Sequence, residues 1–192
     1  MGISYSQWQS YPWKNELAEQ SGRVATHYAE MLSDDFEGQH SPQDMLDRAL
    51  VLSGFAIRRL VEKRLVTDRL RAEKFVVRTF SSENKGEFQP PFLYQSGGSV
   101  FDNYHFEKPK TKRLNLGGIA NEIIHASQLM FARSDDKVPD GLLIASDWHM
   151  KDRLLHLTIN EFTALVKRVL DDRVRFGSDS RDDTGAVHAI RR

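Results

Sequence analysis

The run Gly117-Gly118-Ile119-Ala120-Asn121-Glu122-Ile123-Ile124-His125-Ala126-Ser127 sets a carboxamide, a carboxylate and an imidazole into an otherwise apolar segment. On a helix, Asn121 and His125 stand four residues apart and Glu122 and His125 three apart, so their side chains meet on one face. An imidazole changes charge near physiological pH and serves as general acid or base, and a carboxamide one turn back can orient it or hold a phosphate. His125 and Asn121 are therefore the candidate catalytic residues. The competing reading is a core histidine satisfied by Asn121 or by a backbone carbonyl. Glu122-x-x-His125 also has the spacing of half a di-iron carboxylate site, but the second match, Glu37 to His40, falls in a segment that Gly38 and Pro42 mark as a loop. No metal and no cofactor are expected.

Two other stretches carry chemistry. Asp147-Trp148-His149, with Asp152 and His156 nearby, could form a small metal or catalytic cluster at the tip of a hairpin, but hairpin tips are ordinarily polar and Trp148 is expected to pin the turn onto a helix. The loop from Phe101 to Arg113 interleaves Phe101, Tyr104 and Phe106 with Lys108, Lys110, Lys112 and Arg113. Rings that stack on bases, set among cations that meet phosphates, are the combination that binds single-stranded nucleic acid. A solvated basic loop anchored by buried rings is the alternative.

Formal charge balances at zero over the 192 residues, with 27 basic and 27 acidic side chains, but it is unevenly spread. Residues 1–47 hold eight acids against Lys14 and Arg23, whereas residues 48–74 hold eight bases, Arg58 and Arg59 among them, against three acids. Two neighbouring helices that attract each other explain this gradient, and a basic face for nucleic acid around Arg58 and Arg59 is the sharper version. The chain has no cysteine, which excludes disulfides, thiolate metal sites and a cysteine nucleophile. No HExxH, Walker loop, Gly-x-Ser-x-Gly or GxGxxG motif occurs. With no apolar run of about 18 residues and no signal-peptide pattern, a cytoplasmic protein without a membrane partner is expected.

The elements that would position these residues follow from apolar spacing. Trp13, Leu17, Val24, Tyr28 and Met31 predict a helix over 12–33, and Ser41-Pro42 starts a second over 42–66 whose stripe from Leu46 to Leu65 makes it the most buried. Gly54 in its middle implies a close helix crossing. Residues 75–80 read as a strand. Residues 81–113 read as an irregular segment whose aromatics lie over the helices. A third helix is predicted over 115–132, a β-hairpin over 142–146 and 153–159, and a last helix over 161–175 capped by Asn160. The fold class is thus α+β, mostly α. It is a bundle of about four main helices with a β-hairpin before the last, forming one domain over 1–176, and a polar, flexible tail over 177–192.

On this helix-rich background, Asn121 and His125 resemble the motif of the HEPN superfamily of RNA-associated helical proteins. Its ribonuclease members carry an arginine, then a polar residue such as asparagine, then a histidine one turn later. Asn121 and His125 match the last two positions, and Ala120 stands where the family has arginine. The resemblance implies a helical RNA-associated protein. Lacking the cation that would stabilise the phosphate, it implies a member without catalysis. The expected function is a non-catalytic RNA- or protein-binding module. The alternatives are a metal-independent ribonuclease using His125 and a structural homodimer joined through the third helix.

Overall fold

The computed structural model describes residues 5–33, 38–82, 103–132, 139–182, 184 and 187–192. It contains helices α1 (Tyr5–Leu32), α2 (Pro42–Glu62), α3 (Asp68–Ala72), α4 (Leu116–Ile124) and α5 (Ile159–Asp171). Its strands are β1 (Phe75–Ser81), β2 (Lys110–Leu114), β3 (Ala126–Ala132), β4 (Gly141–Ser146), β5 (Arg153–Leu157), β6 (Gly177–Arg181) and β7 (Val187–Arg191). The first five strands form one antiparallel sheet in the order β2-β1-β5-β4-β3, and β6 and β7 pair as a separate ribbon. The fold is therefore α+β around a five-stranded sheet, which corrects the helical bundle with one hairpin.

Local chemistry fixes the helix ends. The Ser41 hydroxyl accepts from the Asp44 N–H with Pro42 in the first turn, and Thr67 Oγ1 accepts from Leu70 N at the start of α3. Asn115 Oδ1 accepts from Gly118 N (2.9 Å) to open α4. The last helix is capped by Thr158, reciprocated by Glu161, and not by Asn160. Helix α2 ends with Arg64 in the left-handed conformation (φ 53°), Leu65 N–H returning to the Leu60 carbonyl at 2.8 Å. The Arg64 guanidinium reaches the Ala189 carbonyl (2.9 Å), and Asp68 accepts from the Arg191 N–H (2.7 Å), so the β6–β7 ribbon is tied to the α2–α3 corner. Residues 177–192, read above as a tail, thus carry a second antiparallel pair.

The segment read as one helix over 115–132 divides at His125, the C-cap of α4. Beyond it, Leu129 packs into the helix-side core and Met130 into the cluster on the other face of the sheet. A strand that packs apolar side chains on both faces reads as a continuous apolar run, which spacing alone does not separate from a helix. On the helix side, Val77, Leu142, Ile144, Leu155 and Leu157 meet α1, α2, α4 and α5 through Leu17, Leu50, Ile57, Ile119, Ile123 and Phe162, all with little or no exposure. On the opposite side, Phe80, Leu143, Ala145 and Leu154 pack under Tyr104 and Phe106, with the Phe80 and Phe106 rings 4.9 Å apart. The rings expected to cover the helices cover this second face of the sheet, at least over the described 103–107 stretch; Phe88, Phe92, Tyr94 and Phe101 lie outside the described residues.

The close crossing inferred from Gly54 is present: a Cβ there would stand 2.9 Å from Ile123 Cγ2 and 3.3 Å from Ile124 Cγ1. Gly22, on an open face of α1, has nothing within 4 Å of such an atom. Two helical glycines therefore respond in opposite directions to alanine. Gly22→Ala gains roughly 0.5–1 kcal/mol from backbone entropy. Gly54→Ala loses about 1–2 kcal/mol net, because overpacking against a stiff isoleucine exceeds that gain. Urea denaturation of the two variants measures both signs.

Candidate functional site

Glu122 is the one acid that α4 carries, and it is buried at 6% relative exposure. A carboxylate taken from water needs donors around it. Three arrive from the β4–β5 connection. Ser146 Oγ donates to Glu122 Oε2 (2.6 Å), and the Arg153 guanidinium donates to Oε1. His149 Nδ1 lies 3.0 Å from the same Oε1 and 3.1 Å from Ser146 Oγ. Ser146 and Arg153 share the helix-facing side of the sheet with Leu142, Ile144, Leu155 and Leu157, which is why strand alternation delivers both beneath α4.

This network sets the histidine tautomer. An ionised carboxylate only accepts, and the Ser146 hydroxyl hydrogen is already given to Glu122, so Ser146 turns a lone pair toward the ring. Both neighbours of His149 Nδ1 are then acceptors, and Nδ1 carries the hydrogen. In the neutral ring Nε2 is left as an acceptor, and it has no partner among the described residues. The side chain of His149 is 34% exposed, against 14% for Arg153 and 7% for Glu122, so it is the member of the network that reaches the surface. Serine, histidine and acid together suggest a nucleophilic triad, but the geometry is of another kind. Ser146 is fully buried, its proton is held by Glu122, and serine and acid both engage the same ring nitrogen.

Main-chain bonds close the turn. The N–H groups of His149 and Met150 reach the Ser146 carbonyl, those of Asp152 and Arg153 reach the His149 carbonyl, and Asp147 N–H donates to the His125 carbonyl (3.0 Å). From the other face Tyr104 OH donates to the Met150 carbonyl (2.9 Å) and Ser82 N–H to the Asp152 carbonyl (3.0 Å). Trp148 is left on the outside, 61% exposed, with its ring centroid 4.4 Å from that of His125.

Two stretches weighed separately in the sequence thus converge: His125 and Glu122 from the end of α4 meet Trp148 and His149 of the hairpin tip. Asn121 is half-buried, and what joins it to His125 is main chain, the His125 N–H on the Asn121 carbonyl at 3.0 Å. The basic stretch begins at the same end of the sheet. Lys110 Nζ donates to Ser81 Oγ (2.8 Å), Ser81 pairs with Arg153, and Lys108, Lys112 and Arg113 are exposed. Tyr104 is only 4% exposed and belongs to the second core, so its ring is not a stacking surface. Arg58 is paired with Glu62 (2.6 Å) and Arg59 lies over the Trp13 ring (5.4 Å). Gly54 faces Ile123 and Val61 faces Gly117, so α2 runs opposite to α4 and carries Arg58 and Arg59 away from His125. Sequence reading missed Ser146 and Arg153. The signal for Arg153 was present: a lone acid on an apolar helix calls for a cation.

His156 stands apart from the cluster it was grouped with. It is 1% exposed near the C-terminal end of β5, with Nε2 2.7 Å from the Asp140 carbonyl and Nδ1 without a partner among the described residues. No group of three or more metal-ligating side chains occurs among the described residues. No protein-family model, curated protein or solved structure matches this chain.

Burial holds the His156 pKa below its ordinary 6.5, more than the Asp140 hydrogen bond raises it. The folded state therefore binds fewer protons than the unfolded chain near and below that value. Its contribution to stability is complete above pH 6.5 and declines as the pH falls toward the folded pKa. Denaturation free energies from pH 8 to 5 should fall for the wild type, and His156→Gln should flatten that part of the profile. An unchanged slope in the variant would assign the dependence to other groups.

Proposed function

We propose that this protein is a non-catalytic module that binds single-stranded RNA at the end of the sheet where the β4–β5 turn, the close of α4 and the start of β2 come together. The observation that carries the reading is Trp148, an indole held outward by a turn bonded on both sides and backed by the His125 ring. An exposed ring on a rigid support is a base-stacking platform, because every base offers a π-face and the platform loses little entropy on binding. Lys108, Lys110 and Lys112 supply the phosphate contacts, whereas Arg113 pairs with Val76 toward the far end of β2 and on the other face of the sheet. From β2 to β4 is three strand spacings, roughly 14 Å at about 4.8 Å each, a span of two to three nucleotides. Arg58 and Arg59, engaged elsewhere, are not part of this face.

Several features speak for binding over catalysis. His125 serves as a stacking partner at a helix end and does not share a helical face with a phosphate-binding arginine. Ser146 is sequestered, its hydroxyl hydrogen given to the buried Glu122 carboxylate. Helix α4 buries Leu116, Ile119, Ala120 and Ile123 in the core, and these side chains face inward within one chain, which favours a packing role for this helix over a joining one. No helix among the described residues is long and apolar enough to cross a membrane.

Affinity for a labelled oligo(U) should fall linearly on a log–log plot against salt, with a slope reflecting about two to three phosphate contacts. Trp148→Ala should weaken binding about tenfold without changing that slope, consistent with the loss of one stacked base. No retention of RNA at low salt would end this reading.

A further inference from the structure

The groups beside Trp148 share a polarity that points to a particular base. Asp147 is exposed, and its carboxylate makes no hydrogen bond or ion pair among the described residues, its backbone N–H alone being used on His125. Glu122 and Ser146 hold the His149 hydrogen on Nδ1 from within, which in the neutral ring leaves Nε2 as an acceptor. The residues on either side of the indole therefore offer acceptors, and a base held there must bring donors. Adenine and cytosine present a donor beside an acceptor on the Watson–Crick edge, and uracil presents one donor between two carbonyls. Guanine presents two adjacent donors, N1–H and the exocyclic amine.

We propose that Trp148, Asp147 and His149 form a seat for a single guanine, stacked on the indole with its N1–H and amino group directed to the Asp147 carboxylate and with His149 Nε2 accepting from the remaining amino hydrogen or the ribose 2′-OH. The seat rests on the RNA-binding reading and adds specificity to it. Stacking and phosphate contacts set the affinity, and the two acceptors choose the base. Its rigidity comes from the buried carboxylate behind His149, so the acceptor is in place before the ligand arrives.

The test compares binding of UUUGUUU and UUUAUUU by fluorescence anisotropy at low salt. Wild type should prefer the guanine oligomer by about tenfold, within the range of a bidentate base contact. Asp147→Asn, at an exposed position and with an unchanged circular dichroism spectrum, should lose that preference while binding UUUAUUU as the wild type does. Equal affinity of the wild type for both oligomers would overturn the seat and leave RNA binding standing. A guanine preference that survives Asp147→Asn would overturn it too. If neither oligomer binds, both the seat and the RNA reading fail.

Discussion

A carboxylate buried beneath the end of α4 governs the arrangement of this half of the molecule. Glu122 cannot be solvated where it stands, so its charge has to be met from inside, and the β4–β5 connection meets it with Ser146, His149 and Arg153. Removing one member of a buried ion pair generally costs about 3–5 kcal/mol, and the partial exposure of Arg153 and His149 puts this network toward the lower end of that range. Because the three donors enter from one short turn, satisfying the acid also settles the shape of the turn. It settles which ring nitrogen of His149 carries the proton, and it settles that Trp148 points out. Local surface geometry here is a consequence of an interior electrostatic requirement.

The sheet makes the same logic visible on a larger scale. Its two faces are covered by different means, helices on one and the Tyr104–Phe106 stretch on the other. That stretch does more than fill space: Tyr104 holds the Met150 carbonyl, so the second core and the Glu122 network grip the β4–β5 turn from opposite sides. A turn restrained in this way can present an indole without the ordering cost that a free loop would incur on binding. The basic residues of β2 lie two strands from β5 on an edge strand, where lysines also discourage pairing with another chain.

Much of the helical part was legible in the sequence, because capping chemistry is local. Ser41-Pro42 starts a helix where it stands, and Gly54 announced a close helix crossing through the absence of a side chain. The hairpin of β4 and β5 was legible from two short apolar runs on either side of the polar Asp147–Lys151 stretch, even though both strands bury both faces. The sheet as a whole was not, since pairing of β1 with β5 joins residues some 75 positions apart, and no local signal encodes such a register. The continuation of α4 into β3 was misread for a related reason: Leu129 and Met130 face opposite cores, so both are apolar and the period of two disappears. Of the site, each half was seen and the union was missed. Glu122-x-x-His125 and Asp147-Trp148-His149 are separated by more than twenty residues and meet only because β3 returns the chain alongside β4.

The most direct measurement is of the His149 ring itself. Long-range proton–nitrogen correlation spectra of labelled protein, at a pH where the ring is neutral, distinguish the two tautomers. Glu122 and Ser146 acting together require the Nδ1–H form, with Nε2 carrying the unprotonated nitrogen shift. In Glu122→Gln, where the amide can turn a donor to the ring, that dominance should weaken. A neutral His149 found with its hydrogen on Nε2, or exchanging between the two forms as a free imidazole does, would contradict the buried carboxylate as the group that organises this surface.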